Sequence, residues 1–254
     1  MYDWPEVAPA LDAFWDLIQQ ELTKVGIDNA PADLTRDIGM MEGWLDPALM
    51  IGQSCGWPYA NLLRGKVVPF ARFDYGLQTC ASGHYYSVYI AKSDDDAKYL
   101  QSAESLLLAG SIAINREDSQ SGFRVWGEIL NANPGDMLPG SSLIETGSHR
   151  SSVIAVAEGR ATIAAIDAVS FELAKRYEPN AAADVCVIGR SNPKPGLPLV
   201  TAHSMAFRTS ALFQSVKLAL QRLDKTQKDT LLIKDVIEAH DHDYDVFFSG
   251  NEFV

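Results

Sequence analysis

The sequence has little positive charge and no long apolar run. Its 254 residues include 21 lysines and arginines against 33 aspartates and glutamates, which gives a net charge of −12. Binding to a nucleic-acid backbone requires clustered lysines and arginines, so we expect no nucleic acid among the partners. No apolar segment approaches the roughly 18–20 residues of a membrane-spanning helix. An apolar fraction of 47% nevertheless predicts a folded protein with a substantial core.

Cysteine is also scarce. Cys55, Cys80 and Cys186 are too few and too widely spaced for a zinc motif. Their odd number excludes complete internal disulfide pairing. A bridge between Cys55 and Cys80 is one alternative, and buried free thiols are the interpretation we favour. The segment 240–245 is rich in His and Asp, but such a polar terminal segment is more often solvated than metal-bound. We therefore expect no metal.

A hydroxyl-rich turn lies between an apolar segment and a helical pattern. Residues 111–114 are typical of a short buried strand, and apolar residues recur at helical spacing after the turn. Ser119, Ser121 and Gly122 lie where the first N–H groups of a helix have no partner within the helix. Such amides, together with nearby hydroxyls, favour an anion. An ordinary serine N-cap is the alternative for this 119–122 turn taken alone.

The same order of strand, polar loop and helix occurs twice more along the chain. The apolar segment 142–145 precedes a loop with Ser148 and His149, and the apolar segment 162–166 ends at Asp167. Three such units in series predict a parallel sheet. Ligands of such sheets bind at the carboxyl ends of the strands. We therefore expect the polar residues of the three loops to converge on one rim.

Each polar residue of this rim has a role that its chemistry predicts. His149 can donate a hydrogen bond to an oxyanion, and its charge is expected to rise as the anion binds. An exposed capping histidine is the alternative. Asp167 suits a helix N-cap, and this role is compatible with ligand contact. Because a carboxylate repels a bare anion, Asp167 implies a protonated ligand oxygen or a ligand ammonium. Gln53 and Tyr85 are further candidates for ligand contact, with strand packing as the alternative for Tyr85.

The order of elements also predicts two lobes. The chain builds a mixed α/β half, then the three units described above, and then returns with a long amphipathic helix near its end. We expect a discontinuous lobe of residues 1–90 plus 190–254 and a second lobe of residues 91–189. Hinges near 91–93 and 189–191 would connect the two lobes as a clamp.

Several short motifs follow one another in a fixed order along the chain. They are Gly147-Ser148-His149, the segments 155–161 and 164–167, the 119–122 turn, the turn 53–58 and the segment 195–198. In this order and spacing they resemble the phosphonate-binding family of ABC-transporter substrate-binding proteins, over nearly the whole chain to about Thr201. The resemblance implies an α/β protein with the two-lobed type II periplasmic-binding-protein fold, with mixed sheets flanked by helices and the ligand cleft between the lobes.

The resemblance also implies roles for individual residues. Ser119, Ser121 and His149 would hold the phosphonate or phosphate oxygens, and Asp167 would receive a ligand amine or hydroxyl. The complete set of expected ligand-binding residues is Ser119, Ser121, Gly122, His149, Asp167, Ser148, Gln53 and Tyr85. The family further implies delivery of the ligand to an ABC permease in the membrane and a periplasmic location. The sequence begins without a basic segment or a cleavage site typical of a leader, so a cytoplasmic location is the alternative.

The predicted function is therefore that of the substrate-binding component of an ABC importer. We expect it to bind phosphonate, phosphate or phosphite as a monomer, without a cofactor and without catalysis. The alternatives are a cytoplasmic small-molecule sensor and a biosynthetic enzyme of the thiamine-pyrimidine or menaquinone type on the same fold. Two observations argue against an enzyme. None of the three cysteines has a neighbouring His in the sequence, and the sequence shows no recognisable set of nucleophile, general base and orienting residue.

Overall fold

The chain folds into two compact α/β units. The structure is a computed structural model that describes residues 2–93, 103–138 and 143–248. One unit comprises Met1–His84 and Pro195–Val254, and the other comprises Tyr85–Lys194. We call them unit 1 and unit 2.

The helices of the described residues are mostly short. In chain order the α-helices are α1 (Ala8–Lys24), α2 (Met40–Trp44), α3 (Gly56–Pro58), α4 (Ala103–Ala109), α5 (Gly127–Leu130), α6 (Pro134–Met137), α7 (His149–Ala157), α8 (Ala168–Tyr177), α9 (Pro179–Ala183), α10 (Thr209–Arg222) and α11 (Lys225–Leu231). A π-helical turn at Tyr59–Leu63 continues α3, and 3₁₀ turns occupy Arg124–Trp126, His203–Arg208 and Asp241–Phe247. None of the described helices has the length and hydropathy that a membrane crossing requires.

The strands of the described residues form a four-stranded, a two-stranded (β3-β9) and a five-stranded sheet. In chain order they are β1 (Gly52–Gln53), β2 (Val67–Asp74), β3 (His84–Tyr85), β4 (Ser87–Lys92), β5 (Ile112–Ile114), β6 (Leu143–Glu145), β7 (Ile163–Asp167), β8 (Val185–Arg190), β9 (Lys194–Pro195), β10 (Pro198–Ala202) and β11 (Asp235–Glu238). The predicted strand from residue 142 thus begins at Leu143, and Ser142 lies outside the described residues.

Unit 1 is built on an antiparallel sheet in the order β1-β10-β2-β11. Helices α1 and α10 pack against each other beside this sheet. The apolar stripe of α1, which includes Phe14, Trp15 and Leu22, is buried, as its helical spacing predicts.

Unit 2 is built on a five-stranded mixed sheet in the order β6-β5-β7-β4-β8. The edge strand β6 and its neighbours β5 and β7 run parallel to one another, whereas β4 runs antiparallel to both of its neighbours, β7 and β8. This confirms that the strands of the three strand–loop–helix units run parallel, although the sheet that contains them is mixed. Strands β5 and β7 are buried along their whole length, which agrees with their continuous apolar sequences. Because β5 and β7 run parallel, the 119–122 turn after β5 and Asp167 at the end of β7 lie on the same side of the sheet.

The chain passes between the units within β3 and again within β9. The predicted boundaries, after residues 90 and 189, differ from these positions by several residues. The physical reason is that Ala91 lies inside β4, where it pairs with Ile163 and Cys186, and Gly189 lies inside β8, where it pairs with Tyr89. The segments predicted as hinges thus include residues that are held by strand pairing.

The cysteines are thiols. Cys55 is buried, whereas Cys80 and Cys186 are half-buried. Within the described part of the chain, the Cys55–Cys80 disulfide that the sequence left open is absent. The same residues contain no group of three or more His, Cys, Asp or Glu side chains arranged as metal ligands.

Candidate anion-binding site

The 119–122 turn follows β5 and contains two backbone amides for which the described residues provide no acceptor. The carbonyl oxygen of Ser119 accepts from the N–H groups of Phe123 and Arg124, at 3.2 and 2.9 Å, and the hydroxyl of Ser119 accepts from the N–H of Gly122 at 3.1 Å. Among the described residues no acceptor faces the N–H of Gln120 or Ser121. Both residues are less than a tenth exposed. Two buried donors at the start of a helical turn form an environment that suits an anion.

Gly122 allows the turn to lie directly against its neighbours. A Cβ atom at this position would stand 1.9 Å from Asn115 Oδ1 and 3.2 Å from His149 Cε1. Any side chain here would therefore push Asn115 and His149 away from the turn. The glycine serves close approach rather than an unusual backbone angle, because its φ is not positive.

His149 reaches the turn from the start of α7. Ser148 is the N-cap of this helix, and its hydroxyl accepts from the N–H of Ser151 at 3.1 Å and donates to the Ser151 hydroxyl at 2.9 Å. The capping fixes the first turn of α7 and hence the direction of the His149 side chain. His149 Nε2 lies 2.9 Å from Ser121 Oγ, within hydrogen-bond distance.

Asp167 completes the group from the carboxyl end of β7. It is the N-cap of α8, with Oδ1 accepting from the N–H of Ser170 at 2.9 Å and Oδ2 accepting from the Ser170 hydroxyl at 2.8 Å. Asp167 Oδ2 lies 3.6 Å from His149 Nε2, which is too long for a hydrogen bond but close enough to attract the ring when it is charged. The structure thus brings Ser121, His149 and Asp167 together at the carboxyl ends of the parallel strands of unit 2.

The electrostatics of the group keep His149 neutral near pH 7. Its side chain is 10% exposed and that of Asp167 is 5% exposed. Burial lowers the pKa of His149 below the ordinary value of 6.5, because the charged ring loses its hydration. The negative charge of Asp167 and the nearby Ala165 backbone act in the opposite direction and offset only part of this. An anion placed beside the ring would favour the charged form.

The group differs from the triad of serine hydrolases. In a triad the serine and the aspartate approach opposite nitrogens of the histidine ring, so that the histidine can accept the serine proton. Here Ser121 Oγ and Asp167 Oδ2 both approach Nε2. The arrangement offers hydrogen-bond donors and one carboxylate.

The remaining predicted residues lie in different places. Tyr85 is buried at the start of unit 2 and lines a cavity of about 10 Å³ together with Ser87 and Ser121. Gln53 belongs to unit 1, where it pairs with Leu199 in the sheet and its carbonyl accepts from Trp44 Nε1. No described residue is bonded to Gln53 Nε2, which is buried. The other seven predicted residues all belong to unit 2.

Four polar residues of this site were not predicted from the sequence: Ser87, Asn115, Ser170 and Ser191. Ser170 had a local signal, because an N-cap Asp accepts a hydrogen bond from the N–H of the residue three positions later. Ser87 and Ser191 carried none, because they reach the site through contacts between distant segments.

The fold is a periplasmic-binding-protein fold with two α/β units. The chain belongs to the family of periplasmic substrate-binding proteins of ABC phosphonate transporters, whose family model matches residues 19–244. Proteins of this family are substrate-binding proteins rather than enzymes.

Solved structures share this fold. A binding-protein component of an ABC phosphonate transporter from Pseudomonas aeruginosa has 19% sequence identity and a TM-score of 0.64, covering 92% of this chain and 78% of that chain. PhnD1 from Prochlorococcus marinus, in complex with methylphosphonate, has 17% identity and a TM-score of 0.70, covering 94% and 91%. A Xanthomonas citri protein bound to a chloride ion has 15% identity and a TM-score of 0.67, covering 98% and 94%. At these identities the likeness shows the fold alone. No curated protein matches the chain.

Proposed function

We propose that this protein binds a small phosphorus oxyanion, such as phosphonate, phosphate or phosphite, at the 119–122 turn. We further propose that it acts as the substrate-binding component of an ABC importer, as a periplasmic monomer that delivers its ligand to a membrane permease. Membership of the phosphonate-transporter family supports the class of ligand and the permease. The methylphosphonate complex of PhnD1 supports the same class from a protein of similar fold.

The observation that carries the proposal is the combination of several hydrogen-bond donors with one carboxylate acceptor at the carboxyl ends of the parallel strands of unit 2. The N–H groups of Gln120 and Ser121 can donate to ligand oxygens, and His149 can donate from Nε2 once its contact with Ser121 rearranges. Asp167 can only accept when it is ionised. A ligand with both ionised oxygens and a P–OH or an ammonium group matches this mixture better than sulfate, which carries no proton near neutral pH.

The predicted residues take separate roles in this proposal. Ser119 and Ser121 supply hydroxyls, Gly122 supplies close backbone approach, and His149 supplies a ring donor. Ser148 acts by capping α7, since its hydroxyl is already bonded within the helix start. Gln53 and Tyr85 stay candidates for additional ligand contacts, and Gln53 would contribute a buried amide donor.

Native mass spectrometry followed by calorimetry tests the proposal. The retained or added ligand is identified by mass, and phosphate, phosphite, methylphosphonate, an aminoalkyl phosphonate and sulfate are then titrated. Ser119→Ala and Ser121→Ala should each weaken oxyanion binding by roughly 1–3 kcal/mol, the cost of one charge-assisted hydrogen bond. Ser204→Ala, at an exposed serine of unit 1, is the matched control and should bind normally. A neutral Ser119→Ala/Ser121→Ala double variant would refute the site, and turnover of any of these compounds would refute a purely binding role.

A further inference from the structure

Ser87 is a buried serine whose side chain is hydrogen-bonded to the backbone of the 119–122 turn. It is the first residue of β4 and lies opposite Asp167 in the pairing of β4 with β7. Its hydroxyl donates to the carbonyl oxygen of Ser121 at 2.9 Å. Ser87 is 2% exposed and Ser121 is 6% exposed, so water cannot readily replace this hydrogen bond. The bond therefore fixes the peptide that joins Ser121 to Gly122.

Ser191 in turn holds Ser87. The N–H of Ser87 donates to Ser191 Oγ at 2.9 Å, and the N–H of Ser191 donates to the carbonyl oxygen of Ser87 at 2.9 Å. Both backbone groups of Ser87 are thus bonded to one residue, while its side chain is bonded to Ser121. Three buried serines form a continuous chain of hydrogen bonds from Ser191 to the 119–122 turn.

This chain of hydrogen bonds ends close to both places where the polypeptide leaves unit 2. Unit 2 begins at Tyr85, shortly before Ser87, and ends at Lys194, shortly after Ser191. The turn with the N–H groups of Gln120 and Ser121 is therefore bonded to the first and the last segments of its own unit.

We propose that Ser87 is a positioning residue for oxyanion binding. Ser87 fixes the 119–122 turn and, through its bonds to Ser191, joins that turn to the segments 85–87 and 191–194. The inference rests on the proposed function. Ser87 contacts no ligand in this scheme; it holds the Ser121–Gly122 peptide and, because this peptide begins at the Cα of Ser121, it restricts the orientation of the Ser121 hydroxyl. Binding groups are effective only when their own hydrogen bonds fix them to within a fraction of an ångström. Conversely, an anion on the turn stabilises the same chain of hydrogen bonds and protects the amides of Ser87 and Ser191.

Calorimetry with methylphosphonate and inorganic phosphate tests the effect on affinity. Ser87→Ala removes the donor and leaves a buried carbonyl unpaired, so the dissociation constant should rise about tenfold. Ser87→Thr keeps the hydroxyl on a residue that suits a strand and should stay within about twofold of the unmodified protein. Ser215→Ala, at a buried serine of unit 1 whose hydroxyl has no partner among the described residues, controls for loss of a buried hydroxyl. It should not change the affinity.

Amide hydrogen exchange gives a readout that is independent of affinity. In the unmodified protein, saturating phosphate should slow exchange at Ser87 and Ser191. Ser191→Ala removes the acceptor of the Ser87 N–H but keeps the Ser87 hydroxyl, so the protection of Ser87 should disappear while binding persists. If Ser87→Ala proves poorly folded by circular dichroism, the exchange measurement on the unmodified protein, with and without phosphate, carries the test.

The outcomes separate the two proposals. If the unmodified protein binds neither methylphosphonate nor phosphate, the proposed function fails and this inference fails with it. If it binds them but Ser87→Ala binds equally well, or if phosphate leaves exchange at Ser87 and Ser191 unchanged, the positioning role alone is overturned.

Discussion

The charge state of His149 couples proton uptake to anion binding. Burial lowers its pKa below 6.5 in the ligand-free protein, so the ring is neutral at pH 7. A bound anion favours the charged ring and raises that pKa. Binding therefore takes up a proton in the pH range between the two pKa values. Affinity should strengthen as the pH falls through the pKa of the bound state, and should level off below the pKa of the free state.

The matched control for this prediction is His149→Gln, which keeps a side-chain donor but cannot titrate. Calorimetry in two buffers of different ionisation enthalpy counts the protons taken up. The difference between the two proteins removes the ligand's own ionisation, which is common to both. The groups that face the ring are Asp167, the Ser121 hydroxyl and the Ala165 backbone, and all are retained. Equal proton uptake by both proteins would contradict a role for His149.

Asp167 should set the choice between oxyanions. Its carboxylate accepts a hydrogen bond from P–OH or pairs with an ammonium, and it repels a fully ionised oxygen. Asp167→Asn should therefore raise the affinity for sulfate relative to phosphate, because the amide can donate. The substitution preserves the cap on α8, since an amide oxygen can still accept from the N–H of Ser170.

Titration of sulfate and phosphate into both proteins, by calorimetry, checks this selectivity. If the unmodified protein already binds the two anions equally, Asp167 does not face the ligand. In that case Asp167 serves only as the N-cap of α8 and as the neighbour of His149, at 3.6 Å.

At the scale of the element, the glycine of the 119–122 turn is a packing requirement. Gly122→Ala would place a methyl group 1.9 Å from Asn115 Oδ1, so that Asn115 and His149 must both move. We expect the free energy of unfolding to fall by about 1–3 kcal/mol, the usual cost of overpacking, and anion affinity to fall as well. Gly135→Ala in α6 is the control, because its nearest heavy atom would be 3.6 Å away. Urea denaturation should show no loss of stability for the control, and equal loss in both variants would contradict the packing argument.

The elements also show which features were predictable from sequence. Ser148 and Asp167 are N-caps in the structure, and each lies where a polar residue follows an apolar strand and precedes a helical pattern. Such local signals survive folding because caps and strands use neighbouring residues. The resemblance to a known family predicted the fold, and the family model agrees with it.

Other features depend on tertiary structure and could not be predicted from local pattern. Ser87 bonds to Ser121 and Ser191 across 34 and 104 positions of the chain, respectively, and no spacing rule brings them together. The strand β4 enters the middle of a largely parallel sheet in the opposite direction. It therefore holds Ala91, which we expected to be a hinge, by pairing on both sides.

The whole molecule carries a charge that opposes anions, yet its site suits one. A net charge of −12 repels small anions from the general surface, so non-specific anion binding should be weak. The amides of Gln120 and Ser121 act locally, over distances at which the net charge has little influence on a buried position. Any stabilisation of the folded protein by phosphate should thus report the site.

Thermal unfolding in increasing ligand concentration provides the test at this scale. A ligand at one hundred times its dissociation constant stabilises the folded state by about 2.7 kcal/mol, which for a chain of this size corresponds to about 5–10 °C in Tm. Phosphate or methylphosphonate should produce this shift, and sulfate at the same concentration should produce a smaller one. Ser121→Ala should reduce the phosphate shift, because the site has lost a donor while the net charge is unchanged. A shift that is equal for sulfate and phosphate and survives Ser121→Ala would mean that the stabilisation arises from screening of the excess negative charge, and the 119–122 turn would lose its assigned role.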